Sequence, residues 1–169
     1  MIPGLTPPET LTAEHEVTAF ASGEEELDDW LRRRALANQG AGASRCYVVR
    51  AEGRVVGYYA LAVGAVSEAQ AAGRIRRNMP EPIPVMLIAR LAVDRRCQGQ
   101  GIGAALLRDA VLRTLQAAEI AGIRAILVHA LSEDAKRFYQ RFGFTASPVE
   151  PLTLMITLAD ALAVVKGRG

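Results

Sequence analysis

Arg96-Cys97-Gln98-Gly99-Gln100-Gly101-Ile102-Gly103 carries three glycines at alternate positions. An apolar run, Val85 to Val93, leads into it, and a long periodic pattern, Ala104 to Ala121, follows. That order predicts strand, glycine loop, helix. Without Cβ atoms in the way, the backbone N–H groups of such a loop can converge. The first turn of the helix adds N–H groups with no intrahelical partner and the positive end of its dipole. Together these features predict a cradle for phosphate or pyrophosphate, flanked here by Arg95 and Arg96. The plainer alternative is a tight strand-to-helix turn without a ligand.

Two common phosphate-binding patterns fit poorly. A nucleotide P-loop ends in Gly-Lys-Ser/Thr, whereas Gly103 is followed by Ala104 and Ala105. The dinucleotide fingerprint requires Gly-x-Gly-x-x-Gly and an acidic residue at the end of the next strand. Here the spacing is Gly-x-Gly-x-Gly and the next strand ends near His129-Ala130. Read as Arg96-x-x-Gly99-x-Gly101, the loop resembles the acetyl-CoA signature of GNAT-type N-acetyltransferases, Gln/Arg-x-x-Gly-x-Gly/Ala.

At 169 residues the chain reads as a single domain with a real core. Twenty basic against eighteen acidic residues leave a net charge of only +2, so any nucleic-acid contact must come from a local patch. Cys46 and Cys97 lie far apart with no paired spacing, which predicts a reduced, cytoplasmic protein. Pro3, Pro7 and Pro8 interrupt any apolar core of a signal peptide. No stretch reaches the ~18 apolar residues of a membrane helix, so no membrane association is expected.

Residues 1–8 read as an irregular tail. The alternation His15-Val17-Ala19 predicts a first strand over Glu14 to Phe20. Ser22, with Glu25 three residues on, predicts a capping box for a helix whose apolar residues are Leu27, Trp30, Leu31, Ala35 and Leu36. Arg32, Arg33 and Arg34 read as a solvated face around Trp30, in preference to the alternative of a nucleic-acid contact. Arg45 to Arg50, the turn Glu52-Gly53, and Val55 to Val63 predict a β-hairpin. Glu68 to Arg77 predicts a short helix, after which Pro80, Pro82 and Pro84 bar regular structure. In the main helix Ile102, Leu106, Leu107, Ala110, Val111 and Leu115 form the buried stripe. Ala125 to Leu131 is almost wholly apolar, which predicts a strand covered on both faces, as in a parallel pairing. His129 within it reads as a hydrogen-bonded structural residue. A short helix runs from Ser132 or Glu133 to Arg141 and stops at Gly143. Phe144 to Ala146 and Leu152 to Leu158 predict two closing strands, and residues 166–169 a frayed tail.

The block Ser132-Glu-Asp-Ala-Lys-Arg-Phe-Tyr-Gln-Arg-Phe-Gly-Phe144 resembles the closing motif of the same family, Ala-x-x-Phe-Tyr followed by Gly-Phe and a terminal strand. The resemblance implies an α/β GNAT fold: a mixed central sheet with splayed parallel strands flanked by helices. It implies acetyl-CoA as co-substrate and no metal. It places the cofactor against Leu91, Ala92 and Val93, against Arg96, Gln98, Gly99, Gln100, Gly101, Ile102 and Gly103 of the loop, and against Ser132 and Phe138. It makes Tyr139 the general acid for the departing CoA thiolate. A thiol near ~8.5 and a phenol near ~10 are matched well enough for that transfer. Many family members carry a glutamate base on the strand before the loop. Here Arg90 lies in that region, with no carboxylate before Asp94. That departure implies either a water relay or a substrate amine that is already partly neutral: an α-amine near ~7.7, lowered further by esterification of its carboxyl, needs a base far less than a lysine near ~10.4.

Phe20-x-Ser-Gly-x-x-x-Leu27-Asp-x-Trp30-Leu31, then Arg33-Arg34-Ala-Leu-x-Asn38-Gln39, resembles one branch of the family. Gly57-Tyr58-Tyr59-Ala60-Leu61 and Ala89-Arg90-Leu91-Ala92-Val93-Asp94 match it too. That branch comprises the acetyltransferase toxins of bacterial toxin–antitoxin pairs. It implies acetylation of the α-amino group of aminoacyl-tRNA, a block of translation, a homodimer, and a ribbon-helix-helix antitoxin. Arg74, Arg76, Arg77, Arg90, Arg95, Lys136 and Arg137 are the candidates for tRNA phosphates. The alternatives are an acetyltransferase of a small amine or protein N-terminus, and an inactive fold that only binds acetyl-CoA.

Overall fold

The computed structural model describes residues 2–168. In chain order the elements are β1 (Glu9–Thr10), α1 (Glu25–Arg33), α2 (Ala35–Gly40), β2 (Arg45–Ala51), β3 (Arg54–Val66), α3 (Gly73–Arg76), β4 (Ile83–Val93), α4 (Ile102–Ala118), β5 (Ala125–His129), α5 (Glu133–Arg141), β6 (Thr145–Ala146), β7 (Thr153–Thr157) and α6 (Leu158–Arg168), with 3-10 turns at Glu68–Gln70 and Arg95–Cys97. The strands form one mixed sheet in the order β1-β2-β3-β4-β5-β7-β6. The chain divides into two compact units. One takes the chain up to Ala62 together with Ala89–Ala110, the other Val63–Ile88 together with the chain from Val111 onward.

In the first unit the hairpin β2–β3 turns through Glu52 (φ 53°) and Gly53 (φ 79°). Two consecutive positive φ angles match the right-handed twist of the flanking strands, which is why a glycine sits at the second position. Phe20, Leu27, Leu31, Ala35, Cys46, Val48, Val55, Tyr58 and Ala92 form its core, with Trp30 packed against them. The Tyr58 hydroxyl donates to the Leu27 carbonyl at 2.6 Å, so the polar tip of a fully buried ring is satisfied. Gly57 lets the start of α4 approach β3. A Cβ there would stand 3.1 Å from Ile102, Leu106 and Val49.

In the second unit β4 pairs in parallel with β5, from Val85↔Ala125 to Ile88↔Val128. β5 pairs antiparallel with β7 on its other edge. Ala125, Ile126, Leu127 and Val128 are all buried, as a strand covered on both faces requires. Within the described residues the β4–β5 ladder ends at Ile88↔Val128, while β4 runs on to Val93. Gly143 (φ 92°) closes α5 in the left-handed conformation that favours glycine.

Several sequence expectations are corrected. Residues 14–20 form turns with one isolated bridge, Glu16↔Arg54, and the first strand is instead Glu9–Thr10. Alternation over seven residues is a weak strand signal where no partner edge is available. Ser22 does not cap α1. Its hydroxyl donates to Asp28 at 2.6 Å, and the cap position falls to Glu24. The predicted single helix breaks at Arg34 into α1 and α2. Glu68 to Arg77 splits into a 3-10 turn and α3. β4 begins at Ile83 and includes Pro84, whose carbonyl still accepts from the Arg124 N–H at 2.9 Å. The carboxyl-terminal tail is helical: α6 runs to Arg168 and buries Ala161 and Val165. Met1 and Gly169, the outer residues of the two expected tails, lie outside the described residues.

Candidate active site

β4 delivers the chain to the glycine loop, and Asp94 ties that loop down. Asp94 is 1% exposed, and its N–H donates to the Val56 carbonyl at 2.8 Å. Its carboxylate accepts from the Ala21 N–H (3.2 Å), the Arg96 N–H (3.0 Å) and the Arg96 guanidinium (3.0 and 3.2 Å). Burial alone would push this carboxyl up, but the bonds from Arg96 and from the two backbone N–H groups outweigh it. The net effect holds the group below the usual carboxylate range. A carboxylate so engaged is a structural anchor and is not free to serve as a base. The same pairing turns the Arg96 guanidinium toward Asp94. The Gln98 side-chain amide donates to the Ser22 and Val93 carbonyls at 2.8 and 2.9 Å, so it clamps the loop.

Gly99 (φ 78°) and Gly101 (φ 87°) both occupy the left-handed region. A Cβ at either would meet nothing within 4 Å, so backbone conformation rather than space demands glycine. The loop, from Gln98 to Gly101, is exposed and opens directly into α4, whose first residue Ile102 is buried. Left-handed glycines ahead of a 17-residue helix are the backbone arrangement that suits an anion. Gln100 is exposed and Gly103 half-buried at the head of that helix. On β4, Ala92 is buried and Leu91 and Val93 are half-buried.

In the second unit Ser132 caps α5, its hydroxyl accepting the Ala135 N–H at 3.1 Å. Asp134 and Glu133 suit the positive end of that helix. Two turns on, Tyr139 is 7% exposed, its ring edge-on to Phe138 (5.1 Å) and tilted against Phe144 (5.5 Å). Burial pushes its phenol above the ordinary value. Such a group keeps its proton at neutral pH, which is what a proton donor requires. His129 Nδ1 lies 2.9 Å from the Thr153 hydroxyl and is structural, as the sequence predicts.

The cationic candidates divide between the units. In the second, Arg74 pairs with Asp160 at 2.8 Å and Arg137 with Asp134. Arg76 and Arg77 are exposed and Lys136 half-buried. In the first, Arg95 is exposed, with its N–H donating to the Ala21 carbonyl, and Arg90 is half-buried over Trp30 at 5.2 Å. Arg32 departs from the solvated reading: it donates to the Phe20 carbonyl and to Asp29. Sequence reasoning missed Asp94 as the loop's anchor, although an Asp before a 3-10 turn is itself a capping signal. It also missed Gly57, for which a glycine inside a strand is the available sign.

Known proteins place this arrangement. The family described as an acetyltransferase (GNAT) domain matches residues 42–146. The chain is 55% identical over 162 residues to a tRNA-acetylating toxin of Mycobacterium tuberculosis (strain ATCC 25618 / H37Rv), covering 96% of this chain and 98% of that protein. Among solved structures it is similar to AtaT complexed with acetyl-methionyl-tRNAfMet, with TM-score 0.86, 28% identity, and 95% and 98% of the two chains covered. It is also similar to an AtaT variant bound to the C-terminus of the antitoxin AtaR and acetyl-CoA, with TM-score 0.81, 29% identity, and 95% and 97% covered. Glycine loop, parallel strand pair and Phe-Tyr helix therefore sit in a chain that belongs to the GNAT acetyltransferase family and is an acetyl-CoA-dependent N-acetyltransferase.

Proposed function

We propose that this protein is a toxin that acetylates the α-amino group of aminoacyl-tRNA and so blocks translation. The observation that carries the reading is the 55% identity, over nearly the whole of both chains, to a tRNA-acetylating toxin. The similarity to AtaT in complex with acetyl-methionyl-tRNAfMet points the same way. The chemistry agrees: Arg90 occupies the strand region where a carboxylate base is usual, and Asp94 is committed to Arg96. An esterified α-amine is already partly neutral at physiological pH and attacks without a dedicated side-chain base, the proton its nitrogen loses on forming the amide passing to water.

Acetyl-CoA supplies the acetyl group as a thioester. In this reading the N–H groups from Gln98 to Gly103 hold its pyrophosphate, and Leu91 to Val93 offer backbone groups to the pantetheine arm. Ser132 and Phe138 border the same ligand. Tyr139 holds a proton at its phenolic oxygen for the departing sulfur. Arg74, Arg76, Arg77, Arg90, Arg95, Lys136 and Arg137 hold tRNA phosphates. The chain acts as a single domain, in the cytoplasm, as a homodimer. A ribbon-helix-helix antitoxin neutralises it; AtaT, to which it is similar, is bound to the C-terminus of the antitoxin AtaR.

The test is transfer of labelled acetyl groups. Charged tRNA should accept them, and the same tRNA after deacylation should not. Free amino acid should be a poor acceptor because nothing positions its amine. Equal transfer to free amines and charged tRNA, insensitive to salt, would support a small-amine enzyme instead. No transfer to any amine with acetyl-CoA still bound would indicate an inactive binding fold.

A further inference from the structure

A cleft of about 660 Å³ in the first unit is lined by Glu26, Asp29, Trp30, Arg33, Arg34, Ala37, Asn38 and Arg90. Arg90 is held there in a fixed orientation: its guanidinium lies over the Trp30 ring and one of its N–H groups donates to the Ala89 carbonyl at 2.9 Å. Its Nε is buried and has no hydrogen-bond partner. An unpaired buried donor is costly, so this guanidinium has hydrogen-bonding capacity that none of the described residues uses. The remaining charges favour an anion. Asp29 is offset by Arg32 at 3.1 Å. Arg33, Arg34 and Arg90 then face one uncompensated carboxylate, Glu26.

We propose that this cleft binds a phosphodiester of the single-stranded 3′ end of tRNA, with the Arg90 side chain in its lining and Arg33 and Arg34 at its rim. The proposal rests on the aminoacyl-tRNA reading above and identifies where the strand is gripped. The volume suits one nucleotide rather than a duplex backbone. A splayed single strand can enter a concave site, whereas the stem's phosphates lie on a convex surface. Glu26 suits ribose hydroxyls, which donate to a carboxylate. Arg33 and Arg34, which in the sequence read as a solvated face, become ligands.

Trp30 is the chain's one tryptophan, so its emission reads the cleft directly. A short uncharged RNA ending in CCA should change that emission saturably, with an apparent affinity that falls as salt is added. Arg33→Gln/Arg34→Gln should raise KM for charged tRNA by about tenfold with kcat within about twofold, and should reduce the salt slope by ~0.7 for each phosphate no longer held. Acetyl-CoA affinity by calorimetry should stay at the wild-type value. Arg90→Lys, which keeps the charge but loses the guanidinium held over Trp30, should raise KM similarly. The two exposed arginines carry the test if Arg90 variants do not fold. Unchanged Trp30 emission together with an unchanged KM and salt slope in Arg33→Gln/Arg34→Gln would overturn the proposal. An RNA-dependent emission change without transfer to charged tRNA would defeat the function reading while leaving the cleft in place.

Discussion

At Tyr139 the phenol is 7% exposed, and burial lifts its pKa above the ordinary value near ~10. The sign matters for the pH profile. A raised tyrosine pKa keeps the neutral, proton-carrying form to higher pH, so activity should not fall through Tyr139 ionisation below about pH 10. The acid limb should instead report the substrate amine, rising as an α-amine near ~7.7 or lower loses its proton. Tyr139→Phe should leave acetyl-CoA affinity unchanged and lower kcat by about a hundredfold, the scale of a positioned acid. An alkaline limb below about pH 10 that disappears in Tyr139→Phe would show instead that the phenol's pKa is not raised. The motif makes Tyr139 legible in the sequence, but its burial is not, because Phe144 reaches it only once the chain has turned at Gly143. Asp94 was hidden for the same reason. Its partners Ala21 and Val56 are far away in sequence.

The strand–loop–helix element works through two different uses of glycine. Gly101 is needed for its backbone angle, φ 87°, with open space around it. Gly57 is needed for space, since a Cβ would sit 3.1 Å from Ile102 and Leu106. The two substitutions should therefore fail differently. Gly101→Ala should cost about 1–2 kcal/mol of loop strain and weaken acetyl-CoA binding, with the core unaffected. Gly57→Ala should overpack the junction of α4 with β3 by about 1–3 kcal/mol, lowering Tm first and binding as a consequence. Calorimetric titration alongside thermal melts separates them. Equal Tm losses with equal affinity losses would show that the loop has no conformational demand of its own. The alternate glycines made the loop readable in sequence. The role of Gly57 was not, because helix-to-strand distance is set by packing between segments far apart in the chain.

Across the molecule, elements with a local physical cause were legible: the Glu52-Gly53 hairpin, the doubly covered strand β5, and α5 between Ser132 and Gly143. The ends of the chain were not. β1 exists because its register with Tyr47 and Val48 gives it a partner edge, and α6 because Ala161 and Val165 find a buried surface. Neither cause is local. The function reading is also a property of the whole chain, and cells test it as such. Wild-type protein produced alone in bacteria should arrest growth, since acetylated aminoacyl-tRNA has no free α-amine to enter peptide-bond formation. Tyr139→Phe should relieve the arrest through lost turnover, and Gly101→Glu through lost acetyl-CoA binding, because it adds a carboxylate to a loop built for an anion. Both variants must accumulate as folded protein for relief to count, which far-UV circular dichroism of the purified chains checks. Continued arrest with both variants folded would mean that toxicity does not flow through acetyl transfer, and the enzyme would then need a different cellular target.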